Sequence, residues 1–554
     1  MAQDRLREGL TGFASKLPGA FADAAFELKT FTEVGLVRPM RPDKLARVVE
    51  RYVRLGASPA LGSASNAITA PDRVAIIDEA GSLTWERTHR RSNALARALR
   101  DEGVEAGDGV AIMCRNHRYF IEATMACAKL GATALYLNTA FAGPQLSDVM
   151  EREKPTVLVY DQEFTELLSE VTEDLSRFVA WEEKEGTDET TLEQLISGTH
   201  DDEIEPPSEE ARYIILTSGT TGTPKGAQRS QPEGLSSLAA LFSKIPRRHD
   251  ETAMIAAPLF HSWGFLHFML SLPTAATMVL RPKFDPEDTL QATAEHSARV
   301  LAVVPVMMQR ILALPDEVKR RYDLSALEVT AASGSSLPGE LANRWMDEFG
   351  DNLYNLYGST EVAWATIATP EDMRAAPGTA GRPPRGTVIR IVDEDDNDVK
   401  PGETGRIFIG NQMAFEGYTG GGGKDNLGDL LSSGDVGHFD EEGRLFIDGR
   451  DDEMIVSGGE NVFPREVEDL LSDHEGVSEA AAIGVDDEQF GQRLRAFVVK
   501  EDGAGVSEDE LKDHVKANLA RYKVPREIVF VDELPRNATG KVLKRELAEY
   551  QPAD

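Results

Sequence analysis

Cysteine is almost absent: Cys114 and Cys127 are the only two in 554 residues. Two thiols cannot make a disulfide framework. Both lie in the apolar run MCRNHRYFIEATMAC, so they are read as reduced packing residues rather than catalytic thiols. Positive charge is also scarce, with 59 Lys and Arg against 94 Asp and Glu, a formal net charge of −35 at pH 7. Such a field argues against nucleic-acid binding and for high solubility, while leaving the charge of any single pocket open. The start MAQDRLREGLTG lacks the apolar run that a secretion signal needs. Between Glu251 and Arg281 there is no charged side chain, a stretch long enough to cross a bilayer. His261, His267, Pro258 and Pro273 interrupt it, so a buried strand–helix–strand passage is expected instead, in a soluble, cytoplasmic protein.

What is present fits a globular chain too long for one ordinary core: 41% of residues are hydrophobic, and two or more domains are expected. Residues 1–65 form an arm of distinct character. Its first 56 residues carry ten basic and seven acidic side chains, positive within a strongly negative whole. Leu45, Val48, Val49, Tyr52 and Val53 share one helical face there, ringed by Lys44, Arg47, Arg51 and Arg54. Two readings stay open: a helix packed on the main body, or a basic amphipathic helix resting on a lipid surface at the inner face of a membrane.

From about 66 to 450, short β-branched runs alternate with helical patterns: VAII (74–77), VAIM (110–113), TVLVY (156–160), RYIIL (212–216) and VLAVVPV (300–306). Alternation of this kind predicts parallel sheets covered by helices. From Val388 onward the pattern turns to hairpin strands, and residues 451–554 read as a small α+β domain. The fold class expected is α/β: a large N-terminal domain of helix-covered β-sheets (66–450) with a β-rich subdomain, then a small C-terminal domain (451–554).

The loop LTSGTTGTPKG, residues 216–226, follows an apolar strand and surrounds one lysine with glycines and hydroxyls. Backbone N–H groups in such a turn converge on an anion, and Thr217, Ser218, Thr220, Thr221 and Lys225 add donors. It is not a Walker A loop, because no Gly-Lys pair stands at the required offset. Further signals follow in order: APLFHSWG (257–264), ASGSSLPG (332–339), YGSTE (357–361), SGDVGHFD (433–440), GRDDEMIVSGGENVFPREVE (449–468) and LPRNATGK (534–541).

These ordered motifs resemble the adenylate-forming superfamily of acyl-CoA synthetases, luciferases and peptide-synthetase adenylation domains, over roughly residues 66 to 550. The resemblance implies a two-step reaction using ATP, Mg²⁺ and CoA. A carboxylate attacks the α-phosphorus to give an acyl adenylate and pyrophosphate, and a thiol then displaces AMP. It also implies a nucleotide site built from Ser218, Gly219, Thr220, Thr221, Gly222, Lys225, Gly334, Ser335, Ser336, Tyr357, Gly358, Ser359, Thr360, Asp435 and Arg450. Tyr357 is similar to the ring that stacks on adenine, and Asp435 to the acid that accepts both ribose hydroxyls. Glu361, with Thr217, resembles the Mg²⁺ ligand set. Lys541 is similar to the cation that bridges carboxylate and phosphate during adenylation. Asp452 matches the hinge of a mobile C-terminal domain, whose rotation would bring Gly458 and Gly459 to the thiol tunnel. Val456 stands where some long-chain synthetases carry lysine.

His261 and Trp263 sit where the family has an aromatic gate to the acyl pocket, and Phe260, Phe265, Leu266, Phe268, Met269 and Leu270 around them suit an apolar chain. The expectation is a fatty acid–CoA ligase for medium- to long-chain acids. Two alternatives remain: a ligase loading an acyl carrier protein, and a non-catalytic nucleotide- or acyl-adenylate-binding regulator. A homodimer and peripheral membrane contact through the arm are left open.

Overall fold

The computed structural model describes residues 22–56, 58–169, 175–182, 186–217, 225–229, 235–413, 415–419, 423–453, 455–457, 460–487, 491–501, 503–519, 523–537 and 540–550. Among them lie four sheets. The first has eight strands, in the spatial order Thr366–Ala368, Leu353–Tyr357, Val329–Ala332, Val300–Val303, Thr252–Ile255, Thr277–Leu280, Val74–Asp78 and Gly81–Thr84. Its inner pairs are parallel and only the two outermost are antiparallel. The second has seven, in the order Phe415–Tyr418, Lys225–Arg229, Arg212–Thr217, Thr133–Tyr136, Gly109–Met113, Val157–Tyr160 and Ser176–Val179.

Runs such as TMVL and VLAV are buried at every position, as strands covered on both faces must be. The run VLAVVPV divides: its strand ends at Val303, and Pro305 opens the helix Pro305–Leu312, where a missing N–H costs nothing. The uncharged stretch 252–280 is a strand, the helix Ser262–Ser271 and a second strand, and among the described residues no helix is long and apolar enough to cross a membrane.

Asn116 links the two large sheets. Its Nδ2 donates to the carbonyls of Ile255 (3.1 Å) and Ala257 (2.9 Å), and its Oδ1 accepts from Leu259 N (2.8 Å). That clamp fixes the approach to His261. Because Val300–Val303, Val329–Ala332 and Leu353–Tyr357 run parallel, the segments following them gather at one sheet edge, where ligands of α/β proteins bind.

The third sheet is antiparallel and contains Val388–Val392, Gly405–Gly410, Leu430–Phe439, Asn426–Leu427 and Leu445–Arg450. The fourth, in the C-terminal part, contains Glu460–Val462, Ile455–Ser457, Gly491–Lys500, Val477–Asp487 and Glu527–Phe530. The helices Pro464–Ser472 and Glu508–Asn518 pack on it through Val467, Leu471, Leu511 and Val515. The molecule is thus α/β, with a large multi-sheet body and a small C-terminal α+β unit. Cys114 and Cys127 are both buried among apolar side chains. Burial lifts both thiols, Cys127 to about 12, which suits packing and not nucleophilic chemistry.

In the arm, residues 22–34 form a helix, followed by the helix Pro42–Leu55. The second helix does pack on the body, but not by its apolar side. Lys44 Nζ donates to the Thr69 carbonyl (3.1 Å), Arg51 pairs with Glu203 (2.9 Å), and Leu55 packs against Ala60, Ala128 and Ala211. Leu45, Val49, Tyr52 and Val53 face outward.

Candidate active site

The sheet edge opens into a cavity of about 1040 Å³ walled by both the large body and the C-terminal unit. Tyr357 ends its strand there. Its hydroxyl donates to Asp435 Oδ2 at 2.5 Å, and Arg450 Nη1 donates to Asp435 Oδ1 at 3.2 Å. Asp435 and Arg450 are cross-strand partners of Leu430–Phe439 and Leu445–Arg450, so antiparallel register holds them together. Burial, and then the Asp435 carboxylate, push the Tyr357 hydroxyl well above the ordinary phenol range, so it stays a donor. Each Asp435 oxygen has a further lone pair for a ligand hydroxyl.

Gly358 follows at a place no side chain can occupy, since a Cβ would lie 2.1 Å from the Ala363 carbonyl oxygen. The close turn sends Ser359, Thr360 and Glu361 along the cavity wall. Glu361 is 8% exposed. Its Oε2 accepts from Ser359 Oγ (2.7 Å) and its Oε1 from the Tyr418 hydroxyl (2.7 Å). Burial raises its pKa, but the bonds from Tyr418 and Ser359 and the Lys424 charge lower it more, and the carboxyl titrates below its ordinary value. An ionised carboxylate with hard oxygen donors suits Mg²⁺. Gly334, Ser335 and Ser336 also line the cavity.

The C-terminal unit contributes Lys541 on a turn in which Lys541 N donates to Asn537 Oδ1 (2.9 Å) and Asn537 N to the Lys541 carbonyl (2.9 Å). Gly540 lies against Val306 of the large body. The nearby Lys544 is neutralised by Glu453 (2.7 Å) and Glu468 (2.9 Å), whereas no carboxylate of the described residues lies within ion-pair range of Lys541.

His261 precedes the helix Ser262–Ser271 and lines the cavity. Burial lowers its pKa to about 4, so it is neutral near pH 7. Trp263 is fixed in the wall: its indole N–H donates to the Val303 carbonyl (2.9 Å), and its ring meets His267 edge-on at 4.5 Å.

Thr217 and Lys225 are paired in the ladder on either side of the Gly/Thr/Ser loop. Ser218, Gly219, Thr220, Thr221 and Gly222, together with Gly458 and Gly459, lie outside the described residues. Asp452 falls in the short 3₁₀ turn Asp451–Glu453 that joins the third sheet to the C-terminal unit.

Three polar groups of the site escape sequence reasoning. Tyr418 and Lys424 come from a Gly-rich stretch with no recognisable spacing to Glu361. Asn355 reads as an ordinary strand residue, yet its Oδ1 is buried without a hydrogen-bond partner among the described residues, in a residue that lines the cavity.

Residues 64–419 match the AMP-binding enzyme family, and residues 466–541 match the AMP-binding enzyme C-terminal domain. Curated relatives include a feruloyl-CoA synthase of Amycolatopsis sp, 32% identical across 86% of this chain and 96% of its own. An indoleacetate–CoA ligase of Aromatoleum aromaticum is 33% identical across 86% and 95%. Among solved structures, the o-succinylbenzoate CoA synthetase of Bacillus subtilis, in complex with its acyl-adenylate intermediate OSB-AMP, matches with a TM-score of 0.76. It is 27% identical over 89% of this chain and 99% of its own. With both domains matched in order along most of its length, the chain belongs to the AMP-binding enzyme family.

Proposed function

We propose that the protein is an AMP-forming acid–CoA ligase acting on an apolar carboxylic acid. One observation carries the reading: Tyr357 and Glu361 from one segment, Asp435 from a second and Lys541 from a third share the wall of one cavity. A nucleotide needs such a set. The Tyr357 ring offers a stacking face, Asp435 has acceptors for two ribose hydroxyls, and the unsatisfied Asn355 oxygen can accept from an exocyclic amine. Gly334, Ser335 and Ser336 would border the base, and Arg450 would reach ribose or phosphate. Thr217, Ser218, Gly219, Thr220, Thr221, Gly222 and Lys225 would cradle the phosphates.

Adenylation brings two anions together, so positioning and charge neutralisation dominate over general-base chemistry. Lys541 would hold the acid's carboxylate against the α-phosphorus. One carboxylate oxygen bonds to phosphorus while the bond to the pyrophosphate oxygen breaks. Glu361 and Thr217 would hold Mg²⁺, which when bound supplies charge neutralisation of the triphosphate. In the second step the CoA sulfur bonds to the acyl carbon and AMP leaves with the bonding electron pair. Rotation of residues 451–554 about Asp452 would withdraw Lys541 and present Gly458 and Gly459 to the pantetheine arm.

For the acid, Leu238, Leu241, Phe265, Leu266 and Met269 wall the cavity beyond His261 and Trp263. Burying an alkyl chain there contributes about 0.8 kcal/mol per CH₂, which favours medium- to long-chain fatty acids. The second reading is an aryl acid, because relatives are named for feruloyl, indoleacetate and 2-succinylbenzoate substrates. Their names also favour CoA over a carrier protein as acceptor. ATP–pyrophosphate exchange across a panel of fatty and aryl acids, followed by thioester formation with CoA or carrier protein, tests each element. Exchange with no acid in the panel would favour the non-catalytic regulator and end the enzyme reading.

A further inference from the structure

The helix Ser262–Ser271 has two unlike sides. His267, Phe268 and Ser271 are fully buried in the body. Ser262, Phe265, Leu266 and Met269, recurring at intervals of three and four residues on the opposite side, are only half-buried and line the cavity. The cavity therefore follows this helix along its whole length. It passes His261 and Trp263 at one end and reaches Leu272 and Pro273, just beyond the other. Ten residues at 1.5 Å each make that run about 15 Å long.

At the far end stands the helix Pro59–Thr69. Asn66 Nδ2 donates to the Leu272 carbonyl at 2.8 Å, and Gly62 lies so close that a Cβ on it would be 2.7 Å from Leu272 Cβ. The two helices thus touch where the run stops. Leu61, Gly62 and Ser65 line the cavity from this second helix, while Ala60, Ser63 and Ala64 are buried behind them. Leu61 and Gly62 precede residue 64, where the family match begins, so part of this wall lies outside the matched segment.

An extended alkyl chain advances about 1.25 Å per carbon, so a 15 Å run takes about 12 carbons beyond the gate. An aryl acid with one ring would stop well short of Leu61 and Ser65 and leave their side of the chamber without contacts. We propose, resting on the reading of this cavity as the site of an acid–CoA ligase, that the helix Pro59–Thr69 is the end stop of the acid chamber. The chamber is then measured for a straight-chain fatty acid of about 12–14 carbons, whose terminal methyl meets Leu61 and Ser65.

The full chain is titrated calorimetrically with octanoate, dodecanoate and hexadecanoate, and ATP–pyrophosphate exchange is followed with the same acids. Affinity is expected to rise about 4-fold per CH₂ from octanoate to dodecanoate, then to gain less than about 4-fold in all on going to hexadecanoate. Ser65→Phe, which extends the wall into the chamber, should lower the dodecanoate-to-octanoate affinity ratio at least ~10-fold. Leu61→Ala, which cuts the wall back, should raise the hexadecanoate-to-dodecanoate ratio at least ~4-fold. General damage to the fold would weaken all acids alike and leave both ratios where they were. A wild-type profile that keeps rising to hexadecanoate, an unmoved ratio in either variant, or cinnamate bound more tightly than dodecanoate overturns the proposal. Binding that obeys the length rule without exchange from any acid would remove the ligase reading and keep the end stop. Exchange with a length profile indifferent to both variants would do the opposite.

Discussion

The loop that carries Lys541 meets the large body through a glycine. Gly540 has φ +80°, and a Cβ there would lie 2.3 Å from Val306 Cγ1 and 3.2 Å from Val306 Cβ. Gly540→Ala therefore carries two penalties. Left-handed backbone costs an L-residue ~1–2 kcal/mol, wherever the C-terminal unit happens to sit. The overlap with Val306 acts only while the loop is docked, and forcing a methyl into filled space costs about 1–3 kcal/mol. Only the second penalty separates the two positions of the unit. At 1.4 kcal/mol per factor of ten, it lowers the docked population about 5- to 150-fold. ATP–pyrophosphate exchange should fall by that factor, whereas thioester formation from synthetic acyl adenylate should change less than about twofold, because in the proposed rotation that step proceeds with the loop withdrawn. Adding Val306→Ala should restore part of the exchange, since the two sites share one contact. Equal loss of both half-reactions, or a double variant no better than Gly540→Ala alone, would refute the account.

Lys541→Ala should lower exchange by at least ~100-fold, the scale on which a group stabilising transition-state charge acts, while sparing thioester formation from supplied adenylate. Equal loss in both would remove the assigned role. Tyr418→Phe deletes a donor that holds the Glu361 carboxyl below its usual pKa. Glu361 is ionised above that pKa and loses its charge as pH falls through it, so the acidic limb of the exchange profile should move to higher pH. An unmoved limb would sever Glu361 from the profile. His261, with its pKa lowered to about 4, should give no imidazole titration by NMR between pH 5.5 and 8, and a midpoint near 6.5 would contradict its burial. Cys114 and Cys127 should react with a thiol reagent only after unfolding; rapid labelling of native protein would show that they are not packing residues.

Much of the fold was legible because its signals are local. Buried β-branched runs alternating with helical periods specify helix-covered parallel strands, and Pro305 marks a strand end by chemistry that needs no partner. The order of the motifs likewise made Tyr357 and Glu361, Asp435 and Lys541 candidates for one site, although those three segments are far apart in sequence.

Other properties belong only to the tertiary structure. The company of Glu361 is one: its charge is maintained by Tyr418 and Lys424, which the antiparallel edges of two other sheets bring to it. The Asp435–Arg450 pair is another, set by strand register that no single segment encodes. The arm gives the clearest division. Periodicity established which residues of Pro42–Leu55 share a face, since that depends only on 3.6 residues per turn. Which face meets the protein was decided by Thr69 and Glu203, partners supplied by the folded body, and they drew the lysine and arginine inward and left the apolar stripe outside.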